Sequence, residues 1–395
     1  MDINKVLSTR IKSVKPSGIR KFFDLASQME GVISLGVGEP DFDTPWNIRE
    51  SALYAIESSK TTYTENVGLL ALRKAICTYQ KKHYNLHYDP HKEILITVGG
   101  SEAIDIIFRS ILNEGDEVII PTPAYVAYEP LVNLAGGKVV HLPLFEKQEF
   151  KITPKALQAC ISDKTKAIVV NYPSNPTGGN MCKEDYEKIV PLLKKHNIVV
   201  LSDEIYADLI YEGSHYSLAN FAQIKNQVLV ISGCSKAFAM TGWRIGYVLG
   251  DALFMEAIVK LHQFSIMCAP TISQYAALEA FCNSDSQVED MRKAYAARRN
   301  FIVKEFNRLG LSTPMPKGAF YIFSNISSTG LTSEVFCEAL LQEQKVACVP
   351  GTAFGAAGEG YIRVSYAYSI DEIKVAIARI EMFLSCLSVS LSKKG

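Results

Sequence analysis

The stretch Ser232-Gly233-Cys234-Ser235-Lys236-Ala237-Phe238-Ala239-Met240-Thr241-Gly242-Trp243-Arg244-Ile245-Gly246 follows the apolar run Val228-Leu229-Val230-Ile231. The run reads as a buried strand, so one strand delivers a lysine, small hydroxyl residues and an arginine to a single loop. A lone lysine at a strand end is most often a solvated surface group. Lys236 is not alone, because Ser232, Ser235 and Arg244 travel with it. A primary amine can condense with an aldehyde to give an imine, while guanidinium, hydroxyl and backbone N–H donors hold a phosphate. The mixture suits a small molecule that carries both groups.

Upstream, short apolar runs alternate with longer amphipathic stretches. The runs are Glu93 to Val98, Glu117 to Ile120, Ala167 to Val170, Ile198 to Leu201, Val228 to Ile231 and Ile245 to Leu249. Near-continuous apolarity predicts strands buried on both faces, as in a parallel sheet covered by helices. Just after five of them come Gly99-Gly100-Ser101, Pro121-Thr122-Pro123-Ala124-Tyr125, Asn171 to Gly178, Ser202-Asp203-Glu204 and the Lys236 loop. The carboxyl ends of strands in an open α/β sheet line one crevice, where ligands bind. Ordinary turns explain the Gly and Pro but not the repeated chemistry.

The C-terminal third predicts a compact α+β module. It has a helix over Gln287 to Arg308, strands over Gly318 to Phe323, Val346 to Pro350 and Tyr361 to Tyr366, and helices over Ser333 to Glu343 and from Ser369 to about Leu387. The boundary falls at residues 281–286. The expected partition is a large domain over 45–283 and a small domain of 1–44 with 284–395.

The 395 residues are 48% hydrophobic and 21% charged, with 41 basic and 41 acidic side chains, an ordinary globular balance that gives no support for a nucleic-acid or membrane-surface role. Nine cysteines are scattered with no CxxC pair and no His/Cys cluster at metal-ligand spacing, so reduced thiols and a cytoplasmic protein are expected. The N-terminus lacks the apolar core of a signal peptide, and no apolar run is long enough to span a bilayer.

The Lys236 segment, taken with the spaced motifs Gly36 to Asp41, Asn171 to Gly178, Leu201 to Tyr206 and Tyr361 to Tyr366, resembles the class I aminotransferases. These are fold-type I enzymes that use pyridoxal 5'-phosphate (PLP), and the likeness runs from about residue 15 to about residue 385. The nearest resemblance is to the aspartate, aromatic and N-acetyl-diaminopimelate aminotransferase subgroup. It implies an α/β fold, with a mostly parallel central sheet in the large domain beside a small α+β domain.

It also implies roles. Lys236 is the imine-forming lysine and proton shuttle. Asp203 pairs with the pyridine nitrogen, and Glu204 is the rival acid. Tyr206 and Asn175 donate to the ring oxygen. Gly100, Ser101 and Glu102 with Arg244 form the phosphate cup, with Ser232 and Ser235 as further hydroxyl candidates. Many relatives carry serine where this chain has Gly233, which leaves open which hydroxyl serves. Tyr125 stacks on the ring, and Tyr63 reaches the phosphate of a neighbouring subunit in a homodimer. Arg363 takes the substrate α-carboxylate, with Gly38, Tyr125 and Asn175 also touching substrate. Pro16-Ser17-Gly18-Ile19 passes over the pocket mouth.

The implied reaction moves the amino group of an L-amino acid to a 2-oxo acid such as 2-oxoglutarate by a ping-pong cycle. A C–S β-lyase of the cystathionine β-lyase kind is the alternative. Those relatives often have Pro-His-Asn-Pro where this chain has Pro173-Ser174-Asn175-Pro176, which favours transamination. A PLP-binding transcription regulator would need a helix-turn-helix domain, and only about fifteen residues precede the matched region. The side-chain pocket stays open: Arg20 or Lys21 could meet a distal carboxylate, or Ile19, Tyr63, Tyr125 and Phe264 could form an aromatic-tolerant wall.

Overall fold

The computed structural model describes residues 1–14 and 29–392. After a two-residue strand, β1 (Ile33–Ser34), the chain lays down β2 (Ile94–Thr97), β3 (Glu117–Thr122), β4 (Lys138–Pro143), β5 (Thr165–Asn171), β6 (Val199–Asp203), β7 (Val228–Gly233) and β8 (Gly246–Leu249). These seven form one sheet in the order β2-β8-β7-β6-β5-β3-β4. All neighbours pair in parallel except β8, which runs antiparallel to both β7 and β2. The carboxyl ends of β2 to β7 therefore share one edge.

Residues along the central strands alternate between two cores. Ile94, Ile96, Ile168, Val170, Val228 and Val230 face one, with Ile76 and Phe281. Leu95, Val169, Leu201, Leu229 and Ile231 face the other, with Ile104 and Phe108. Burial on both faces is why these strands read as continuous apolar runs. The expected strands are all present. β4 was not among them, because this edge strand exposes Lys138, His141 and Pro143 and so breaks the run.

The C-terminal third adds β9 (Tyr321–Asn325), β10 (Val346–Ala347), β11 (Val349–Pro350) and β12 (Tyr361–Ser365), with β11-β12-β9 forming an antiparallel sheet. Helices Asp285–Arg308, Ser333–Gln344 and Ile370–Ser392 accompany it, and Tyr295, Phe306, Phe336, Leu340, Ile373 and Phe383 close a third core around Phe320, Ile322 and Ile362. β1 pairs in parallel with β10, so the segment that carries Gly36 and Gly38 is fixed to this part of the chain. That segment then passes the carboxyl edge of the large sheet. No described helix is long and apolar enough to cross a membrane.

Candidate active site

A cleft of about 370 Å³ opens where the carboxyl edge of the large sheet meets β9, β12 and residues 36–38. Eleven residues expected at the site line it: Gly38, Gly100, Ser101, Tyr125, Asn175, Asp203, Tyr206, Ser235, Lys236, Arg244 and Arg363. They come from seven separate segments, most of them at or just after a strand end, which is why a one-dimensional pattern scatters them over more than 300 positions.

One end of the cleft is built for an anion. Helix Gly99–Ile111 begins directly after β2, and its first turn, which carries Gly100 and Ser101, brings the helix's positive dipole end to the cleft beside Arg244. Gly99 has φ +72°, and a Cβ there would lie 2.6 Å from the Arg244 guanidinium, so only glycine fits. Arg244 itself is held at φ +55°, a left-handed conformation costing a non-glycine residue about 1–2 kcal/mol, and donates to Thr241 O at 3.0 Å. Ser235 lines the cleft, whereas Ser232 does not: its hydroxyl donates to Glu204 O at 3.3 Å.

The floor holds Asp203. Its Oδ2 accepts from Tyr128 Oη at 2.5 Å and its Oδ1 from Ile205 N at 3.2 Å. Burial pushes the carboxyl up to about 6, against those two hydrogen bonds and the nearby Lys236 charge, which favour the anion. Glu204 is turned away into a buried cluster, accepting from Ser202 (2.6 Å) and Ser217 (2.5 Å) and meeting His215 Nε2 at 2.7 Å. Of the two rival acids, only Asp203 lines the cleft.

Lys236 lies between the anion end and the carboxylate end, its Nζ donating to Gly38 O at 2.6 Å. Burial is the main force lowering its pKa to about 8. Arg363 and Arg244 push the same way, while Glu39 and Asp203 oppose them. About a tenth of the amine is then in the neutral, nucleophilic form at pH 7, far more than for an ordinary lysine.

Arg363 is buried on β12. Nη1 donates to Asn175 Oδ1 at 2.8 Å and Nη2 to Gly36 O at 2.6 Å, while Nε has no partner. An arginine only donates, so the Asn175 oxygen must face it and the amide NH₂ is left for the cleft. Asn171 braces this corner, accepting from Asn175 N at 3.0 Å and donating to Asp203 O at 3.0 Å.

Some expected residues keep their side chains out of this cleft. The Glu102 side chain turns back to accept from Val98 N and meets His262 Nδ1 at 2.6 Å, capping the helix start, while its backbone stays in the first turn with Gly100 and Ser101. Tyr63 is 80% exposed and Phe264 87%, and neither lines this cleft. Pro16 to Ile19, Arg20 and Lys21 lie outside the described residues. Two tyrosines in the cleft escaped the sequence reading, Tyr128 and Tyr321. Tyr128 stands three positions after Tyr125, and that i, i+3 spacing at a helix start was its one signal.

The donor set fits PLP: N–H, hydroxyl and guanidinium donors for a phosphate, an anion for a ring nitrogen, a lysine of lowered pKa for an aldehyde, and a half-satisfied buried arginine for a carboxylate. Comparison with known proteins agrees. The family model "Aminotransferase class I and II" matches residues 30–380.

The chain belongs to the class I and II aminotransferases.

The aspartate aminotransferase of Pyrococcus abyssi is 46% identical over 381 residues, covering 96% of this chain and 98% of that protein. The aromatic-amino-acid aminotransferase 2 of Thermococcus litoralis is 44% identical over 381 residues, again with 96% and 98% covered. The crystal structure of Thermus thermophilus aspartate aminotransferase with maleate superposes with a TM-score of 0.91 at 38% identity, covering 95% of this chain and 99% of that one. The protein is accordingly a PLP-dependent aminotransferase of fold-type I.

Proposed function

We propose that this aminotransferase takes its amino group from an L-amino acid of the aspartate or aromatic kind and passes it to a 2-oxo acid such as 2-oxoglutarate, in a ping-pong cycle, as a cytoplasmic homodimer serving amino-acid biosynthesis. The printed names of the relatives support the donor classes. The observation that carries the chemistry is the Lys236 amine, its pKa lowered to about 8, held between an anion cup and Arg363.

When bound, PLP supplies an electron sink for the α-carbon. Asp203 holds a proton at the ring nitrogen. Tyr206 and the Asn175 amide donate to the ring oxygen, and the Tyr125 ring covers one face. Gly100, Ser101, Ser235 and Arg244 take the phosphate. The Arg363 donors left free by Asn175 and Gly36 grip the α-carboxylate, bidentate in a way lysine cannot match. Lys236 Nζ would hold and move the proton taken from the substrate α-carbon. Tyr63, exposed and outside its own cleft, serves the site of a second copy. The large domain, 45–283, carries the cofactor, and 1–44 with 284–395 form the small domain that brings Arg363.

The test is a half-reaction screen. PLP-loaded protein is mixed with each common L-amino acid, with Lys236→Ala as blank, following the visible band together with ammonia and oxo-acid products. Stoichiometric conversion to the pyridoxamine form without ammonia supports transamination, and the fastest donors name the class. Accumulating ammonia and pyruvate would establish the lyase instead.

A further inference from the structure

Tyr321 belongs to neither the anion cup nor the acid floor, yet it touches both ends of the reacting region. It sits on β9, only 1% exposed, and lines the cleft. Its hydroxyl lies 2.8 Å from that of Tyr206, with the two rings edge to face at 5.8 Å. Its ring lies under Arg363, whose guanidinium carbon is 4.5 Å from the ring centroid. The register explains that contact. Arg363 pairs with Phe323 across β12 and β9, so Tyr321, two residues along, is its diagonal neighbour on the same face.

We propose that Tyr321 is a positioning residue for transamination: its hydroxyl donates to Tyr206 and so commits the Tyr206 proton to the cofactor ring oxygen, while its ring supports the Arg363 guanidinium. This inference rests on the roles assigned above to Tyr206 and Arg363. The direction of the hydrogen bonds follows from proton count. A tyrosine has one proton to give. If Tyr206 gives it to the ring oxygen, its own oxygen is left as an acceptor, and the Tyr321 hydroxyl is the donor within 2.8 Å. A hydroxyl that accepts one bond donates a stronger one, and the effect grows in a buried, weakly polarisable setting. The chain runs Tyr321 to Tyr206 to ring oxygen.

Gly38 belongs to the same device. A Cβ at that position would collide with the Tyr321 hydroxyl, so glycine leaves the hydroxyl room to stay on Tyr206. The charged and titratable groups around the two phenols are Arg363 from β12, Asp203 from β6, Tyr125 from the loop after β3 and Lys236, whose Nζ lies 6.0 Å from the Tyr206 ring centroid. Around Lys236 they are Glu39, Arg363, Arg244 and Asp203. All remain in place when Tyr321 becomes phenylalanine, so that change isolates the hydroxyl.

The readout is the pH midpoint of the visible absorption change of the PLP-loaded protein, which reports loss of the proton on the Lys236 nitrogen. A donor on the ring oxygen stabilises the oxygen anion, eases that proton loss and keeps the midpoint low. Tyr206→Phe should raise the midpoint. Tyr321→Phe should raise it less, by about half a pH unit, through the weakened Tyr206 donor. In the Tyr206→Phe background the Tyr321→Phe change should have no further effect, a result that a merely structural role would not give. Tyr321→Leu, which also removes the platform under Arg363, should raise the KM for the amino donor about fivefold where Tyr321→Phe does not. A midpoint raised by Tyr206→Phe but untouched by Tyr321→Phe overturns the inference, as do shifts that simply add. A midpoint untouched by Tyr206→Phe itself overturns the proposed site roles along with it.

Discussion

Lys236 and Asp203 show opposite shifts from one cause. Burial disfavours charge on either, so the amine pKa falls to about 8 and the carboxyl pKa rises to about 6. For Lys236 the folded pKa lies below that of the unfolded chain. Between about pH 8 and about pH 10 the unfolded state therefore binds a proton that the native state does not, and this group's contribution to stability grows as pH rises through that window. The same shift sets reactivity, because the neutral amine is the nucleophile. The rate at which cofactor-free protein captures PLP, followed at its visible band, should climb with pH and level off above about 8. A climb that continued to about 10, the ordinary lysine range, would mean that the amine is not desolvated. For Asp203 the sign reverses. Between about pH 4 and about pH 6 the native state holds a proton that the unfolded chain has lost, so stability falls as pH rises through that window; above it the buried charge carries its full cost in the cofactor-free protein, and a protonated ring nitrogen beside it relieves that cost.

Helix Gly99–Ile111 illustrates how side chains turned away from the cleft prepare the part of an element that faces it. It begins with no side-chain cap from Val98, and Glu102 turns back to accept the Val98 N–H while His262, on helix Ala252–Ser265, meets the other carboxylate oxygen. The His262 side chain is fully buried and that of Glu102 is 9% exposed. The pair pins the helix start to its neighbour and leaves the N–H groups of the first turn free for an anion. Glu102→Ala strands His262 and the Val98 N–H, a loss of 1–3 kcal/mol by the usual cost of an unpaired buried donor. It should weaken PLP binding about tenfold, measured by fluorescence titration of the cofactor-free protein, while kcat at saturating PLP changes little. Unchanged affinity would show that the helix start holds its place without the pair.

At the scale of the whole molecule, the cleft exists because three cores meet around it. Two flank the large sheet, and the third gathers the C-terminal helices with Leu35 and with Tyr206 and Leu209 from just after β6. Tyr206 is thus a core residue and a cleft residue at once. Cofactor held by residues from so many segments should stabilise the assembled state by mass action. Free PLP at a hundred times its dissociation constant should raise the unfolding free energy by about 2.7 kcal/mol, read by denaturant titration at the cofactor's own band and in the far ultraviolet. At the same free PLP concentration Lys236→Ala, which binds it more weakly, should keep only part of that gain. An equal gain in both proteins would place the binding energy entirely in the phosphate and ring contacts.

The sheet and the chemical inventory were legible in the sequence. Strands buried on both faces must be apolar throughout, and groups that bind ligand in an open α/β sheet must follow the strands, so the loops of Lys236, Asp203, Asn175 and Ser101 announced themselves by position, while the preference for Asp203 over Glu204 came from the family resemblance alone. β4 did not, because an edge strand with one wet face has no continuous run to display. Glu102 and Asp203 look alike on paper, each a carboxylate at the start of a loop or helix. Only the fold turns one back onto Val98 and His262 and the other toward the cleft. Tyr321 read as one more aromatic in a strand. Its place depends on the β9–β12 register, on Tyr206 arriving from the far sheet and on the missing side chain at Gly38. Local pattern fixes which elements form and what chemistry they carry, since those follow from periodicity and residue type. Which side chains share a hydrogen bond across more than a hundred residues is decided by tertiary packing alone.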